Sequence, residues 1–279
     1  MSGSLPEVTA ELRARDGDLR SALGALDGLV IAFSGGVDST YLLKVAHDVL
    51  GDRAIALTAI SPSFPDEERE AARLLARRIG ARQLEVGADE LAREGYVENS
   101  PDRCYFCKTE LFEICTAEAR RLGFDAIAFG AITDDLGDHR PGQRAADEMG
   151  IIAPLADAGL SKVDIRALSR EQGLETWDKP SFACLASRIP YGTHVTVDRL
   201  RRIDAAESAL RALGFKVLRV RDHHPMARIE VGVDELPRLL DPTIRAQADA
   251  ACREAGFDHA TVDPRGYRTG SLNEGLDLT

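Results

Sequence analysis

Through the first two thirds of the chain, short apolar runs alternate with helix-patterned segments, and this alternation restricts the fold more than any other feature. LVIAF (29–33), AIALTAI (54–60), RQLEV (82–86) and AIAFG (126–130) read as strands. Between them, residues 38–50, 66–79 and 106–122 carry helical patterns. The segment 66–79 opens on Pro65-Asp66-Glu67-Glu68 and stops at Gly80, setting proline and acids at the positive end of a helix and glycine past its negative end. Strands alternating with helices predict a doubly wound α/β fold, a parallel sheet covered on both faces.

At residues 173–195 the pattern breaks into GLETWDKPSFACLASRIPYGTHV, a linker or an active-site loop. Beyond it a helix over 196–213, strands KVLRVRD and MARIEVGV, a helix near 235–255 and a strand HATVDP predict a smaller α+β unit. A chain of 279 residues suits two such domains, because single cores rarely outgrow ~250–300 residues. The expected division is 1–176 and 177–279.

Apolar residues make up 44% and charged residues 29%, as in ordinary soluble globular proteins. No apolar stretch approaches the ~20 residues of a membrane span, and MSGSLPEV does not open like a secretory signal, so a cytoplasmic protein without a membrane partner is expected. The net charge of -11 argues against a general nucleic-acid binder, which draws its affinity from basic side chains.

Directly after the first strand comes SGGVDST (34–40). A glycine-rich turn from strand into helix lets backbone N–H groups approach phosphate oxygens, with the positive end of the helix behind them. The loop lacks the Gly-Lys-Ser/Thr ending of a Walker loop and the spacing of a dinucleotide fingerprint. The plain alternative is a turn with an Asp or Ser helix cap. SGGVDS resembles the signature of the PP-loop ATP pyrophosphatases, which split ATP into AMP and pyrophosphate. The resemblance implies that Ser34, Gly35, Gly36, Ser39 and Thr40 hold pyrophosphate and that Asp38 helps to position magnesium.

Five cysteines in a cytosolic chain are weak evidence for disulfides. Cys104 and Cys107, in NSPDRCYFCKTELF, form a CxxC just before a helix, and Cys184 lies in KPSFACLASRIPYGT. Cys115 and Cys252 fall within helical patterns as small core residues. A CxxC can bind zinc, cycle as a disulfide or ligate an iron–sulfur cluster. Three loop cysteines suit a cluster with one open iron better than a tetrahedral zinc, unless His139, His194 or another group completes the zinc site.

Taken together, SGGVDST, DHRPG (138–142), KPSFACLASRIPYGT (179–193), RVRDHH (219–224), ARIE (227–230) and YRTGSLN (267–273) resemble the LarE family over nearly the whole chain. Those are PP-loop sulfurtransferases that adenylate a carboxylate of pyridinium-3,5-biscarboxylic acid mononucleotide and replace AMP with sulfur, a step toward a nickel-pincer nucleotide cofactor. The resemblance implies ATP, Mg2+ and a pyridinium nucleotide substrate, and a homo-oligomer. Members with one cysteine give up the sulfur of the residue matching Cys184. Members with a pair like Cys104 and Cys107 hold a 4Fe-4S cluster on three cysteines, with an extra sulfide as donor, and this chain is similar to the second kind.

Charged residues complete the expected site. Glu207 falls on the apolar stripe Leu200, Ile203, Leu210 and Leu213, where a carboxylate is costly unless it is paired or bound to a cation. The bland alternative is a helix-edge glutamate reaching to water. Arg219, Arg221 and Glu230 alternate with apolar neighbours, a pattern more often solvated than functional. By resemblance, Glu207 and Glu230 match carboxylates that bind a divalent metal, and Arg219 and Arg221 match arginines on the substrate phosphate. The third metal carboxylate falls at Arg238, which leaves Asp234 or Glu235 as substitutes or no metal at all. Ser187 and Arg188 are expected to orient substrate or phosphate, and Asp138, Arg140 and Gly142 to lie near the nucleotide. A PP-loop tRNA thiolase, an amidotransferase-type synthetase and a non-catalytic nucleotide-sensing module are the alternative functions. Acidity counts against the thiolase, and the cysteine triplet is unexplained by the synthetase.

Overall fold

The computed structural model describes residues 7–135, 141–180, 183–268 and 272. In chain order the regular elements begin with α1 (Ala10–Gly24), β1 (Leu29–Ala32), α2 (Val37–Leu50), β2 (Ala54–Ile60), α3 (Asp66–Ile79) and β3 (Arg82–Gly87). There follow α4 (Glu94–Val97), α5 (Arg103–Leu122), β4 (Ala126–Phe129), α6 (Pro141–Glu148), α7 (Pro154–Asp157) and α8 (Lys162–Glu171). The chain ends its regular structure with α9 (Val197–Ala212), β5 (Leu218–His223), β6 (Met226–Val231), α10 (Leu236–Leu239), α11 (Pro242–Glu254) and β7 (His259–Val262). Among the described residues no helix is long and apolar enough to cross a membrane.

Packing divides the described residues into two compact units. One draws on Met1–Ser61, Asp66–Glu90 and Cys104–Phe182; the other on Pro62–Pro65, Leu91–Arg103 and Ala183–Thr279.

The first unit is a parallel sheet of order β3-β2-β1-β4. Period-two alternation sends the residues of β1 to opposite faces. Leu29, Ile31 and Phe33 pack with Leu19 and Leu23 of α1 and Leu42 and Leu43 of α2. Val30 and Ala32 pack with Phe112 and Cys115 of α5 and Phe129 of β4. Helices thus cover both faces, and the strand is buried along its whole length. The chain leaves β1 toward β2 and β3, then returns to add β4 on the other side. Strand order therefore reverses at the carboxyl ends of β1 and β4, where ligands gather in open α/β sheets.

The second unit is a three-stranded sheet, β5-β6-β7, in which β5 pairs antiparallel and β7 parallel to β6. The doubly wound parallel sheet and the smaller α+β unit expected from the sequence are both present. Three local details differ. The helix expected from 106 begins at Arg103, because Pro101 and Asp102 start its first turn and the Arg103 N–H donates to the Ser100 carbonyl at 2.9 Å. Cys104 and Cys107 are therefore helical rather than loop residues. The single helix expected over 235–255 is two, since Pro242 opens a new helix whose N-cap, the Asp241 carboxylate, accepts from the amides of Thr243 and Ile244. The strand expected from Lys216 starts at Leu218, because the amides of Lys216 and Val217 donate to the Glu235 carboxylate.

Candidate active site

The SGGVDST segment leaves β1 and becomes the first turn of α2. Gly35 has φ +70°, and a Cβ there would stand 3.1 Å from that of Ala72, so the position needs glycine on both counts. Gly36 is the N-cap of α2 and offers no side-chain hydrogen bond to its first amides. Those amides lie at the positive end of a 14-residue helix, where an anion is favoured. The hydroxyls of Ser34 and Ser39 lie 3.3 Å apart, and Ser39 also donates to the Gly36 carbonyl at 3.3 Å. Asp38 Oδ1 and Thr40 Oγ1 are buried and have no hydrogen-bond partner. Gly130, just past β4, lets that strand end approach closely, since a Cβ there would sit 2.9 Å from the Ser39 nitrogen.

Two lysines outside the motif bracket this loop. Lys162 donates to Asp38 Oδ2 at 2.5 Å, and Lys179 donates to the Gly35 carbonyl at 3.1 Å and to Glu68 at 2.6 Å. Burial raises the pKa of Asp38, a shift that the Lys162 ammonium opposes. The sequence signal for Lys162 is a cation at the first position of a helix capped by Ser161, where the dipole disfavours positive charge. An orphaned carboxylate oxygen, an orphaned hydroxyl and open helix amides fit a magnesium-bound polyphosphate.

Cys104 and Cys107 stand at i and i+3 on α5, so both thiols lie on one helix face. Cys104 is exposed and Cys107 half-buried, and neither is in a disulfide. Gly142, expected near the nucleotide, packs on this turn: a Cβ there would lie 3.0 Å from Cγ of Lys108. Asp138 and Arg140, with His139, lie outside the described residues. Cys115 and Cys252 are buried core residues as expected, and burial pushes both thiols up to about 12.

Cys184 belongs to the second unit, half-buried at the start of the turn Leu185–Arg188. Arginines fasten that turn. Arg188, fully buried, donates Nη1 to the carbonyls of Ala183 (2.6 Å) and Cys184 (3.0 Å) and to Ser187 Oγ (2.9 Å). Its Nε and Nη2 form a two-pronged pair with Glu207 at 2.8 and 2.9 Å. Arg221 donates to the Ser187 carbonyl at 2.8 Å, and Arg103 to that of Ala186 at 3.0 Å. Asn99, the one non-glycine residue at positive φ among those described, donates to the carbonyls of Pro190 (2.8 Å) and Thr193 (2.9 Å). Asn99 and Arg103 were not legible as loop holders from sequence.

The carboxylates expected to bind a divalent metal, Glu207 and Glu230, are each paired with arginine in this structure. Glu207 is fully buried and accepts from Arg188, from Arg211 at 3.4 Å and from the Val220 amide at 3.0 Å. Burial pushes its pKa up, but Arg188 and these bonds outweigh burial and hold it below the ordinary value. Glu230, also fully buried, pairs with Arg221 at 2.8 Å and Arg228 at 3.2 Å. Glu235 is engaged by the Lys216 and Val217 amides, and Arg238 donates to the Leu213 carbonyl behind α9 while stacking over Phe215. In this structure the oxygens of Glu207 and Glu230 serve guanidinium and amide groups. Likewise Arg188, expected to orient substrate, orients the Cys184 turn. Arg219 donates to the Leu218 carbonyl and lies 5.0 Å from the Tyr267 ring centroid; burial first, then the charge of Arg188, lowers its pKa.

The structure thus joins Cys104 with Cys107, and Cys184 with Ser187, Arg188, Arg221, Glu207 and Glu230. Among the described residues no group of three or more His, Cys, Asp or Glu side chains is gathered so as to hold a metal ion.

No family model matches the chain. It is 37% identical over 268 residues to the pyridinium-3,5-bisthiocarboxylic acid mononucleotide synthase of Lactiplantibacillus plantarum, covering 96% of each protein. An uncharacterized protein of Synechocystis is 42% identical over 259 residues, 93% of this chain and 97% of its own length. An uncharacterized protein of Methanocaldococcus jannaschii is 27% identical over 241 residues, 86% of this chain and 91% of its own.

Proposed function

Because the chain belongs to the LarE family, we propose that it is an ATP-dependent sulfurtransferase that converts a carboxylate of pyridinium-3,5-biscarboxylic acid mononucleotide to a thiocarboxylate. The observation that carries this reading is the open helix start at Gly36, with Asp38 Oδ1 and Thr40 Oγ1 left without partners at the sheet's switch point. In the first step a substrate carboxylate oxygen bonds to the α-phosphorus of ATP, and pyrophosphate leaves with the bonding electrons. The α2 amides and the Ser34, Ser39 and Thr40 hydroxyls bind the departing pyrophosphate. Asp38 would hold magnesium, which would supply neutralisation of phosphate charge. In the second step a sulfur nucleophile bonds to the activated carbonyl carbon and AMP leaves.

Cys104, Cys107 and Cys184 are the residues that would hold a 4Fe-4S cluster, which would supply a labile sulfide as that nucleophile. The support is chemical. None of the three is in a disulfide and all three reach the surface, while the other two cysteines are sealed in cores. Arg188 and Arg221 keep the Cys184 turn in one shape whichever sulfur is used.

The test is anaerobic incubation of the whole chain with ATP, magnesium, sulfide and the biscarboxylate mononucleotide, followed by mass spectrometry of small molecules and of the Cys184 peptide. Pyrophosphate, AMP and a product with oxygen exchanged for sulfur are expected, with the Cys184 peptide unchanged and iron present. A Cys184 peptide lighter by the elements of hydrogen sulfide would replace the cluster with a sacrificed cysteine. Pyrophosphate release indifferent to the pyridinium nucleotide would sink the substrate assignment.

A further inference from the structure

Arg103 serves two parts of the candidate site at once. Its backbone is the first residue of α5, directly before Cys104 and the rest of the CxxC. By packing, however, Leu91–Arg103 belong to the second unit, and the chain re-enters the first at Cys104. The Arg103 side chain, 3% exposed, donates from Nη1 both to Asn99 Oδ1 and to the Ala186 carbonyl, the latter at 3.0 Å. Its guanidinium also lies 5.7 Å from the Tyr191 ring centroid. Ala186 is two residues past Cys184, and Tyr191 follows in the same loop. Asn99 completes the grip. It is fully buried at φ 55°, a left-handed conformation that asparagine tolerates. Its amide donates to the carbonyls of Pro190 and Thr193, and its own carbonyl accepts from the Gly192 amide at 3.1 Å. A residue needed only to fill this interior could be apolar, because burying a charge is costly. What the guanidinium adds is a fixed fork between the Ala186 carbonyl and the main chain from which Cys104 and Cys107 are carried.

We propose that Arg103 is a positioning residue for the sulfur-transfer step, tying the start of the CxxC helix to the Cys184 turn. The inference rests on the sulfurtransferase reading above for the purpose of the tie. In that reading a sulfur nucleophile must meet an activated carbonyl carbon, and a misplacement of about 1 Å costs a reaction of this kind about 100-fold. The cysteines lie in two stretches of sequence, 104–107 and 184. Arg103 is bonded covalently to the first stretch and by hydrogen bond to the turn that follows the second. The glycine loop is held by other residues, among them Ser39, Lys162 and Lys179. Loss of the tie therefore acts on sulfur transfer and spares adenylation.

The experiment follows pyrophosphate and thiocarboxylate separately in the whole chain, under argon with ATP, magnesium, sulfide and the biscarboxylate mononucleotide, for wild type, Arg103→Met, Arg103→Lys and Asn99→Gly. In Arg103→Met, pyrophosphate release should stay within about twofold of wild type while thiocarboxylate formation falls about tenfold or more, with KM for the mononucleotide little changed. Arg103→Lys should recover part of the loss. Asn99→Gly keeps the left-handed backbone but removes the acceptor that orients Arg103, so it should give the same split more weakly, even if Arg103→Met fails to fold. Alkylation with peptide mass spectrometry supplies a readout without turnover. Cys104 and Cys184 should both react severalfold faster in Arg103→Met, with Cys115 and Cys252 still unlabelled. Equal losses of both products, labelling that spreads to Cys115 and Cys252, or a wild-type rate at either Cys104 or Cys184 overturns the proposal. Wild-type protein that forms no thiocarboxylate overturns the sulfurtransferase reading instead, and the alkylation rates then decide the tie alone.

Discussion

The glycine loop and the Cys184 turn are both short connections, yet their polar atoms are treated in opposite ways. In the glycine loop a carboxylate oxygen and a threonine hydroxyl have no protein partner, and the N-cap of α2 offers no side chain to its first amides. In the Cys184 turn the carbonyls of residues 183, 184, 186 and 187 each accept from an arginine. Buried polar groups are costly when unpaired, so the first arrangement is stable only if something else supplies the pairing. The second arrangement is self-sufficient and holds a thiol-bearing turn in place. One loop is shaped to receive a ligand and the other to present a residue.

The largest effect that could break this contrast comes from Arg188→Ala. It would leave Glu207 buried without its principal counter-ion and three turn acceptors without their donor, and should destabilise the second unit by about 3–5 kcal/mol in denaturant titrations. The corresponding change in the glycine loop, Ser39→Ala, removes only long hydrogen bonds and should cost about 1 kcal/mol or less. Equal losses would mean that the two loops are not built differently after all. Next in size is Gly130→Ala, which drives a methyl group against the Ser39 nitrogen. It should cost about 1–3 kcal/mol of stability or shift the loop, and pyrophosphate affinity should fall with it.

A subtler variant sharpens the comparison. Arg188→Lys keeps the charge but loses the planar fork that reaches Glu207 and the turn carbonyls together. Alkylation followed by peptide mass spectrometry should show Cys184 reacting severalfold faster, with Cys104 and Cys107 unchanged. In wild type, Cys115 and Cys252 should stay unlabelled at neutral pH, since burial raises both thiols to about 12.

The sheet was legible because its strands carry their own period. AIALTAI has the bounds of β2, and the charged edge strand β3 is marked by Arg82 and Glu85 in RQLEV. Glu207 was legible as a buried charge that needed a partner; the partner was not, because Arg188 lies 19 residues away in a segment without a pattern. The face of β5 that carries Arg219 and Arg221 reads as solvated from alternation alone, but the Cys184 turn covers it, as the Arg221 contact to Ser187 records. Lys162 and Lys179 meet the glycine loop from 124 and 144 residues away; local spacing does not encode the contacts, and the cation at the start of α8 is the one local sign, for Lys162. The start of α5 was missed for a local reason, since Ser-Pro-Asp can open a helix as readily as a loop.

The smallest expected effect is also the most discriminating, because the two loops should respond to pH with opposite sign. Burial raises Asp38, and Lys162 only partly offsets this, so the folded protein keeps the Asp38 proton to higher pH than the unfolded chain does. Its contribution is present below the ordinary carboxylate range and is lost as pH rises through the raised value. Glu207 is also buried, but Arg188 holds it ionised, so the unfolded chain takes up a proton first as the solution is acidified. Its contribution is present above the ordinary range and is lost as pH falls through the depressed value. Melting temperature measured against pH should therefore lose its acid-side decline in Glu207→Gln and its loss on raising the pH in Asp38→Asn. If both variants flatten the same limb, the two carboxylates share one electrostatic character, and the distinction between a receiving loop and a presenting loop fails at its charged centre.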